Sequence, residues 1–331
     1  MSNFKFTINK NSNTLKFQQL VDAILDSISQ NELQEGEMLP SVNQIMKESQ
    51  LSRDTVFKAY AELKSRGAVE SVPNRGYFVS KNSIKVFLFL DTFKAYKEVL
   101  YGSFLKHLPK NISVDLHFHH YNIEVFEKII TESLGKYSKY IIMNFDHKKV
   151  PQIIDKIGTE QLLIIDWKIH STDKHSTVYQ DFGAAVYNAF LENLKEIEKY
   201  KEFTFFRPTF TYHPKIAIEY FTKFCVDNKL KHRVIYDMED FKIKNGGLYL
   251  LVSDRTLASF LDQCSELGFE PGKEVGVISY NETPMKKYVK NGISVISTDF
   301  ELMGQKAAEF VRSGNSVRFE VPTTLTIRHS I

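Results

Sequence analysis

The chain has 331 residues, 43% hydrophobic and 25% charged, with 43 Lys/Arg against 40 Asp/Glu for a net charge of +3. That length supports two or three domains with ordinary globular cores, and the near-neutral balance excludes a protein that holds nucleic acid by bulk charge alone. Met1 to Phe6 lacks an apolar core of signal-peptide length, and no run of about 18 apolar residues occurs, so a cytoplasmic chain with no membrane partner is expected.

Phe17, Leu20, Val21, Ile24 and Ile28 recur at helical spacing, which predicts a scaffold helix over roughly 15–30. Ser41, after Pro40, can cap a short helix through about Glu48, and Ser52 can cap a second. In the second, Val56, Ala59, Tyr60 and Leu63 fall on one stripe and turn Arg53, Phe57 and Lys58 outward. Gly67 supplies a left-handed stop. Val69 to Val72 and Tyr77 to Val79 then read as strands around Pro73-Asn74-Arg75-Gly76, a turn whose Gly can take a positive φ. The pattern is a helix-turn-helix followed by a β-wing.

These residues carry a resemblance. Leu33-Gln34-Glu35-Gly36-Glu37-Met38-Leu39-Pro40-Ser41, Leu51-Ser52-Arg53-Asp54-Thr55-Val56, Lys58-Ala59-Tyr60, Leu63, Gly67 and Arg75-Gly76-Tyr77-Phe78 lie without a gap between Leu15 and Val79. They resemble the winged helix-turn-helix of the GntR family of bacterial transcription regulators. The resemblance implies operator DNA, read as a palindrome by a homodimer, as the partner. The DNA-facing set expected from it is Ser41, Asn43, Ser52, Arg53, Thr55, Phe57, Lys58, Arg75 and Gly76. Many family members carry Arg at the positions of Asn43 and Phe57. Here Asn43 is suited to an adenine edge and Phe57 to a thymine methyl. Residues 1–80 hold nine basic and nine acidic side chains, so spacing rather than charge makes this case.

A short polar link without Gly or Pro follows, giving domains at 1–80 and 85–331 joined by 81–84. From Ile84 onward, short apolar runs alternate with amphipathic stretches. Strands are expected at 84–90, 113–121, 139–145 and 161–167, then at 203–210, 232–238, 247–253, 275–281 and 294–299. Strand and helix alternating twice over predicts an α/β fold of two lobes with parallel sheets. Neither lobe shows a Gly-x-Gly-x-x-Gly loop or a Gly-Lys-Ser/Thr, so no cofactor is expected.

This second region carries Leu250-Leu251-Val252-Ser253-Asp254 before a helix ending at Leu267-Gly268, then Val275-Gly276-Val277-Ile278-Ser279-Tyr280-Asn281. It also carries Thr298-Asp299 before Leu302-Met303-Gly304-Gln305-Lys306-Ala307-Ala308. It resembles the effector domain of the lactose-repressor type, itself similar to periplasmic sugar-binding proteins. That implies a two-lobed, periplasmic-binding-protein-like domain in which residues near 300–313 return to the first lobe and the final strands join the second.

Parallel sheets present their C-terminal strand ends to a crevice where a small molecule binds. At those ends the sequence places Asp91, Phe93, Asp166, Trp167, Asp254, Tyr280 and Asn281. Carboxylates and amides can bond adjacent hydroxyls while an aromatic face covers a sugar ring. In the resembled family an Asp stands where Asp166 does, an Asn-Asp pair where Ser253-Asp254 does, an Asp where Asn281 does and an Arg where Lys215 does. Lys215 therefore joins the expected ligand set. The expected effector is a monosaccharide or related carbohydrate. A nucleobase or nucleoside is the alternative, and an enzyme fused to the DNA-binding part ranks last.

Catalytic signatures such as Gly-x-Ser-x-Gly and His-Glu-x-x-His are absent, so no catalytic residue is expected. His117, His119 and His120 form a His-x-His-His group without a matching Cys or carboxylate, and no metal is expected there. Cys225 and Cys264 read as buried reduced thiols.

Overall fold

The computed structural model describes residues 6–9, 12, 14–29, 32–80, 84–110, 112–168 and 174–331. The expected link at 81–84 lies outside the described residues except for the backbone of Ile84, which opens a strand. Two compact units emerge. The first comprises Met1–Phe93, Tyr101–Val178 and Met303–Phe319, and the second Lys94–Leu100, Tyr179–Leu302 and Glu320–Ile331.

The first unit begins with α1 (Lys16–Ser29), α2 (Val42–Ser49) and α3 (Arg53–Ser65), followed by β1 (Val69–Val72) and β2 (Gly76–Val79). Each start has its chemical cause. The Ser41 hydroxyl accepts from the Gln44 amide at 3.2 Å, and the Ser52 hydroxyl accepts from the Thr55 amide at 3.3 Å, satisfying donors that the first turns leave open. Helix α3 ends on Arg66, with Gly67 beyond it at φ +69°. Leu20, Val21 and Ile24 of α1 pack with Val56, Ala59, Tyr60 and Leu63 of α3 in one buried cluster. Each such aliphatic side chain contributes about 1.5–3 kcal/mol by leaving water.

Strands β1 and β2 pair antiparallel, Val69 opposite Val79 and Val72 opposite Gly76, closing through Asn74 at φ +58° and Gly76 at φ +110°. The stretch before α2 supports this wing. Val79 N–H donates to the Glu37 carbonyl at 2.8 Å and Leu39 N–H to the Tyr77 carbonyl at 2.9 Å. The Tyr60 hydroxyl donates to the Pro40 carbonyl, and its ring lies 4.6 Å from that of Tyr77. Recognition helix, wing and the Leu39–Pro40 turn are thereby one rigid piece.

The chain continues through β3 (Ile84–Leu90), α4 (Ala95–His107), β4 (Ile112–Phe118), α5 (Ile123–Ser133), β5 (Lys139–Met143), α6 (Val150–Ile154), β6 (Leu162–Asp166) and β7 (Ser176–Tyr179). Next come α7 (Ala184–Glu192), α8 (Leu194–Ile197), β8 (Glu202–Phe206), α9 (Ile216–Asp227), β9 (His232–Ile235) and β10 (Gly247–Leu251). Then follow α10 (Asp254–Leu267), β11 (Gly276–Tyr280), β12 (Ser294–Thr298), α11 (Phe300–Ser313), β13 (Arg318–Glu320) and β14 (Thr323–Thr326). One six-stranded sheet has the order β13-β7-β6-β5-β3-β4 and the other β14-β12-β11-β10-β8-β9. Strands such as β5, β10 and β11 are buried along their whole length, as parallel strands covered on both faces must be.

In each sheet the chain lays its second strand on one side of the first and its third on the other. β3 pairs with both β4 and β5, and β8 with both β9 and β10. Those reversals create switch points, where loops diverge and leave room for a ligand beyond the strand C-termini.

The parallel strands of the second sheet are joined at its edge by β14, which runs antiparallel to β12, Val295 opposite Thr326 and Thr298 opposite Thr323. One expectation needs correction, because the final strands do not both join the second sheet. Only Val321 and Pro322 separate β13 from β14, and the two strands divide between the sheets.

Helix α11 carries residues of both units in one unbroken helix, and its last turn meets the end of the recognition helix. The Arg66 guanidinium donates to Glu62 Oε1 at 2.8 Å, to the Ser313 carbonyl at 2.7 Å and to the Arg312 carbonyl. The Arg66 carbonyl accepts from the Ser138 hydroxyl at 3.4 Å. Gly314, at φ +67°, makes the tight turn that leaves those last carbonyls accessible. Among the described residues no helix is long and apolar enough to cross a membrane.

Candidate DNA-reading face and ligand edges

On α3, the exposed side chains are grouped by the same periodicity that buries Val56 and Tyr60. Arg53 and Phe57 lie one turn apart, with the Arg53 guanidinium carbon 5.5 Å from the Phe57 ring centroid. At the wing tip, Arg75 sits at the same 5.5 Å from Phe78. Both guanidiniums rest on an aromatic ring, which restricts them to fewer rotamers while leaving their N–H groups outward. Asn43, Lys58 and Gly76 are exposed as well. Lys58 leans back, its ammonium 4.2 Å from the Phe17 ring of α1. Ser41 and Ser52 spend their oxygens on helix caps, and Thr55 shares a 2.7 Å hydrogen bond with Ser52. The side chains with donors to spare are therefore Arg53, Arg75, Lys58 and Asn43.

At the C-terminal edge of the first sheet, Asp91 follows β3 and is buried. Its carboxylate accepts from the Tyr121 hydroxyl and from the Thr92 amide. Asp166 ends β6 at φ +72°, and Trp167 beside it is half-buried. Strand β5 separates their strands, so Asp91 and Asp166 stand about 10 Å apart at ordinary strand spacing. Between them Asn144, buried to 5% exposure, directly follows the last residue of β5 beside the switch point. Phe93 is 52% exposed and meets Phe118 edge-on at 5.9 Å.

The histidine group nearby is structural. His119 is fully buried, its Nδ1 accepts from the Tyr121 amide at 3.2 Å, and its Nε2 then carries the proton donated to the Met143 carbonyl at 3.0 Å. His117 stacks on Phe87. Among the described residues no group of three His, Cys, Asp or Glu is placed to hold a metal. Cys225 and Cys264 are free and buried, and burial pushes their thiols up to about 12 and about 11.

The corresponding edge of the second sheet is built around Tyr280 and Asn281 at the end of β11. Tyr280 is buried, its ring 4.4 Å from that of His213 and 6.5 Å from that of Phe182. Asn281 takes φ +63° and donates its amide to the Ile296 carbonyl at 2.8 Å. Lys286, buried to 3% exposure, fixes this corner. Its ammonium donates to the carbonyls of Tyr280 at 3.0 Å and Asn281 at 2.7 Å and pairs with Asp254 at 3.0 Å. Burial lowers its pKa, and Asp254 opposes that shift. Asp254 is exposed in the first turn of α10, and Ser253, whose hydroxyl accepts from the Thr256 amide at 3.2 Å, is the cap. Lys215 is exposed before α9.

Among the described residues, His213 Nε2, Ser279 Oγ and Asn281 Oδ1 at this edge are buried without a hydrogen-bond partner. Arg207 explains why His213 stays in place, since its Nε donates to the His213 carbonyl at 2.8 Å. A buried polar atom left open costs roughly 1–3 kcal/mol, an expense that a bound ligand's hydroxyl or amide would remove. Neither His213 nor Asn144 was among the residues expected from sequence. Asn144 sits in a run that reads as strand, 139–145, whose true strand stops at Met143, and His213 lies in the loop between β8 and α9, beyond the expected strand 203–210.

His213 also predicts a pH dependence. Burial, with the positive charges of Arg207 and Lys94, lowers its pKa to about 3 from an ordinary 6.5. Between those values the unfolded chain binds a proton that the folded chain refuses, so stability falls as pH drops below about 6.5, by up to about 1.4 kcal/mol per unit. Urea midpoints at pH 7.5 and 5.5 should show this loss in the wild type and a flatter dependence in His213→Gln. Equal dependences would remove His213 as the cause.

Two stretches of the chain match known families. Residues 16–79 match the family described as bacterial regulatory proteins, gntR family, and residues 200–331 match the periplasmic binding protein-like domain. Over 70 residues the chain is 37% identical to the uncharacterized HTH-type transcriptional regulator YcxD of Bacillus subtilis strain 168, covering 21% of this chain and 16% of that protein. Over 86 residues it is 31% identical to YydK of the same organism, an uncharacterized HTH-type transcriptional regulator, covering 26% of this chain and 36% of that one. The chain thus spans only about a sixth and about a third of these relatives.

Solved structures with the same fold include a LacI family transcriptional regulator from Silicibacter pomeroyi, with TM-score 0.63 and 14% identity, covering 75% of this chain and 98% of that one. The trehalose repressor of Escherichia coli has TM-score 0.63 and 10% identity, over 74% of this chain and 100% of the other. The Lac repressor bound to ONPG has TM-score 0.61 and 15% identity, over 88% and 94%. One chain thus holds a stretch that matches the gntR family model and another that matches the periplasmic binding protein-like domain, and it shares its fold with these repressor structures.

Proposed function

We propose that this chain is a ligand-responsive transcription regulator of the cytoplasm that holds operator half-sites as a two-fold dimer and binds a small carbohydrate at the C-terminal strand edges of its α/β region. The observation that carries the reading is the combination, in one chain, of a rigid winged helix-turn-helix with outward Arg53 and Arg75 and sheet edges lined by Asp91, Asp166, Asn281 and His213. Carboxylates and amides on one edge, with aromatic rings among them, suit a polyhydroxylated ring. The likeness to the trehalose repressor and to a Lac repressor dimer solved on its operator supports both partners. Helix α4 presents Val99 and Leu105 to solvent on the side where Gly102 leaves open space, an apolar strip that suits a second copy.

A planar nucleobase is the second reading, favoured by the rings of Phe182, His213 and Tyr280 around the open Nε2. A thermal-shift screen over monosaccharides, phosphorylated sugars and nucleosides tests the proposal. A saturable rise in melting temperature with one sugar class, diminished in Asn281→Ala, is expected, because a ligand of the folded state stabilises it by mass action. A response confined to nucleosides would replace the carbohydrate reading. Chemical conversion of the bound compound would replace both with an enzyme.

A further inference from the structure

The first unit contains a cavity of about 790 Å³ where the recognition helix, β5 and the end of α11 come together. Its size lies within the range of small-molecule sites. Two of the side chains lining it are buried cations, Arg66 at 6% and Lys139 at 9% exposure, and Lys174 adds a third basic group. Burying like charges together is costly unless anions accompany them. Glu62 serves Arg66. Among the described residues no carboxylate lies within ion-pair distance of Lys139, whose ammonium donates to the Glu160 carbonyl at 2.6 Å and lies 4.6 Å from the Phe310 ring. Burial and the neighbouring Arg66 charge lower the Lys139 pKa to about 8, with Glu62 and Glu160 opposing the shift from outside ion-pair distance.

The donor inventory points the same way. A guanidinium has five N–H groups and an ammonium three. Three donations from Arg66 and one from Lys139 are accounted for, so each retains donors beside the cavity. The remaining lining includes Ser65, Thr159, Ser313 and Ser316, together with the acidic Glu160.

We propose that this cavity is a second effector site, distinct from the sheet edges, which takes a phosphate-bearing or other small oxyanionic metabolite between Arg66, Lys139 and Lys174. Arg66 caps the recognition helix and at the same time grips the last carbonyls of α11. An anion drawing on its guanidinium alters that grip, so occupancy of the cavity changes the setting of α3 and with it operator affinity.

The test uses the full chain and inorganic phosphate as the probe, without DNA, at constant ionic strength. Phosphorus NMR line broadening should saturate with wild-type protein, and the affinity should fall about tenfold or more in Lys139→Met, the cost expected for losing a charged hydrogen bond. Lys174→Ala, at an exposed position, should weaken binding with the fold undisturbed and serves if Lys139→Met does not fold. Binding unchanged in Lys174→Ala and in a folded Lys139→Met, or broadening that never saturates, means an adventitious ion only and overturns the proposal. A second arm measures operator affinity with phosphate against chloride at equal ionic strength. A shift of a few-fold that disappears in Lys174→Ala supports regulation through this cavity, while identical shifts in wild type and variant overturn the regulatory half. Because the first arm contains no DNA and no sugar, its result stands whether or not the operator and carbohydrate assignments hold.

Discussion

Replacing Arg53 with Ala should weaken binding to the cognate operator by about 1–3 kcal/mol, and Arg75→Ala should do the same or lower the salt dependence instead. Arg53 opens the recognition helix and Arg75 tips the wing, and each guanidinium is held against an aromatic ring at 5.5 Å. An Arg that begins with fewer rotamers loses less entropy on contact, so its deletion removes more binding energy than the loss of a floppy side chain would. Fluorescence anisotropy at two salt concentrations separates the outcomes. Loss of a base contact weakens cognate DNA more than random DNA, whereas loss of a phosphate contact weakens both and reduces the salt slope by about one. Light scattering of the operator complex should report two chains. If both variants bind operator as the wild type does, with the fold intact, these residues do not read DNA.

The second large effect is reciprocal coupling. A ligand at the Asn281 edge should change operator affinity by a factor typical of allosteric proteins, roughly 5–150-fold, and operator must change ligand affinity by the same factor. The proposed coupling is a thermodynamic requirement on two sites of one chain and is read from affinities alone. Titrating the compound found in the thermal screen, with and without operator, measures the factor. Asn281→Ala should weaken the ligand in both titrations while preserving the ratio between them. Identical ligand affinities in the two wild-type titrations would dismiss coupling and leave two independent binding sites.

Much of the DNA-reading part was legible because its determinants are local. Ser41, Ser52, Gly67 and the Asn74–Gly76 turn each act within a few residues of themselves, and all occupy the roles their chemistry suggests. The orientation of Lys58 was not legible, since Phe17 lies forty-one positions away on another helix. In the α/β region the alternation of apolar runs located the strands but not their ends. Where β8 stops is decided by its partners, which pair Phe206 with both Leu251 and Ile235, and the apolar residues beyond it do not extend the strand. That uncertainty hid Asn144, the residue just past β5, while His213 lies in the loop before α9, whose path no local pattern gives. The surroundings of Asp254 were not legible either, since Ser253 caps α10 and the Asp254 carboxylate pairs with Lys286, thirty-two residues on.

That last partnership bears on anyone wishing to retarget the sensor. Asp254 lies in the exposed first turn of α10 and looks like a natural position to randomise, but it is the carboxylate partner of a buried ammonium that also holds the backbone of Tyr280 and Asn281. Replacing it alone removes the ion-pair partner of that ammonium and loosens the loop that carries Tyr280 and Asn281. A library that varies position 254 with Lys286 retained will therefore be screened for folding before it is screened for ligand. One that changes both positions together, with an apolar residue of similar length in place of Lys286, would let selection act on specificity.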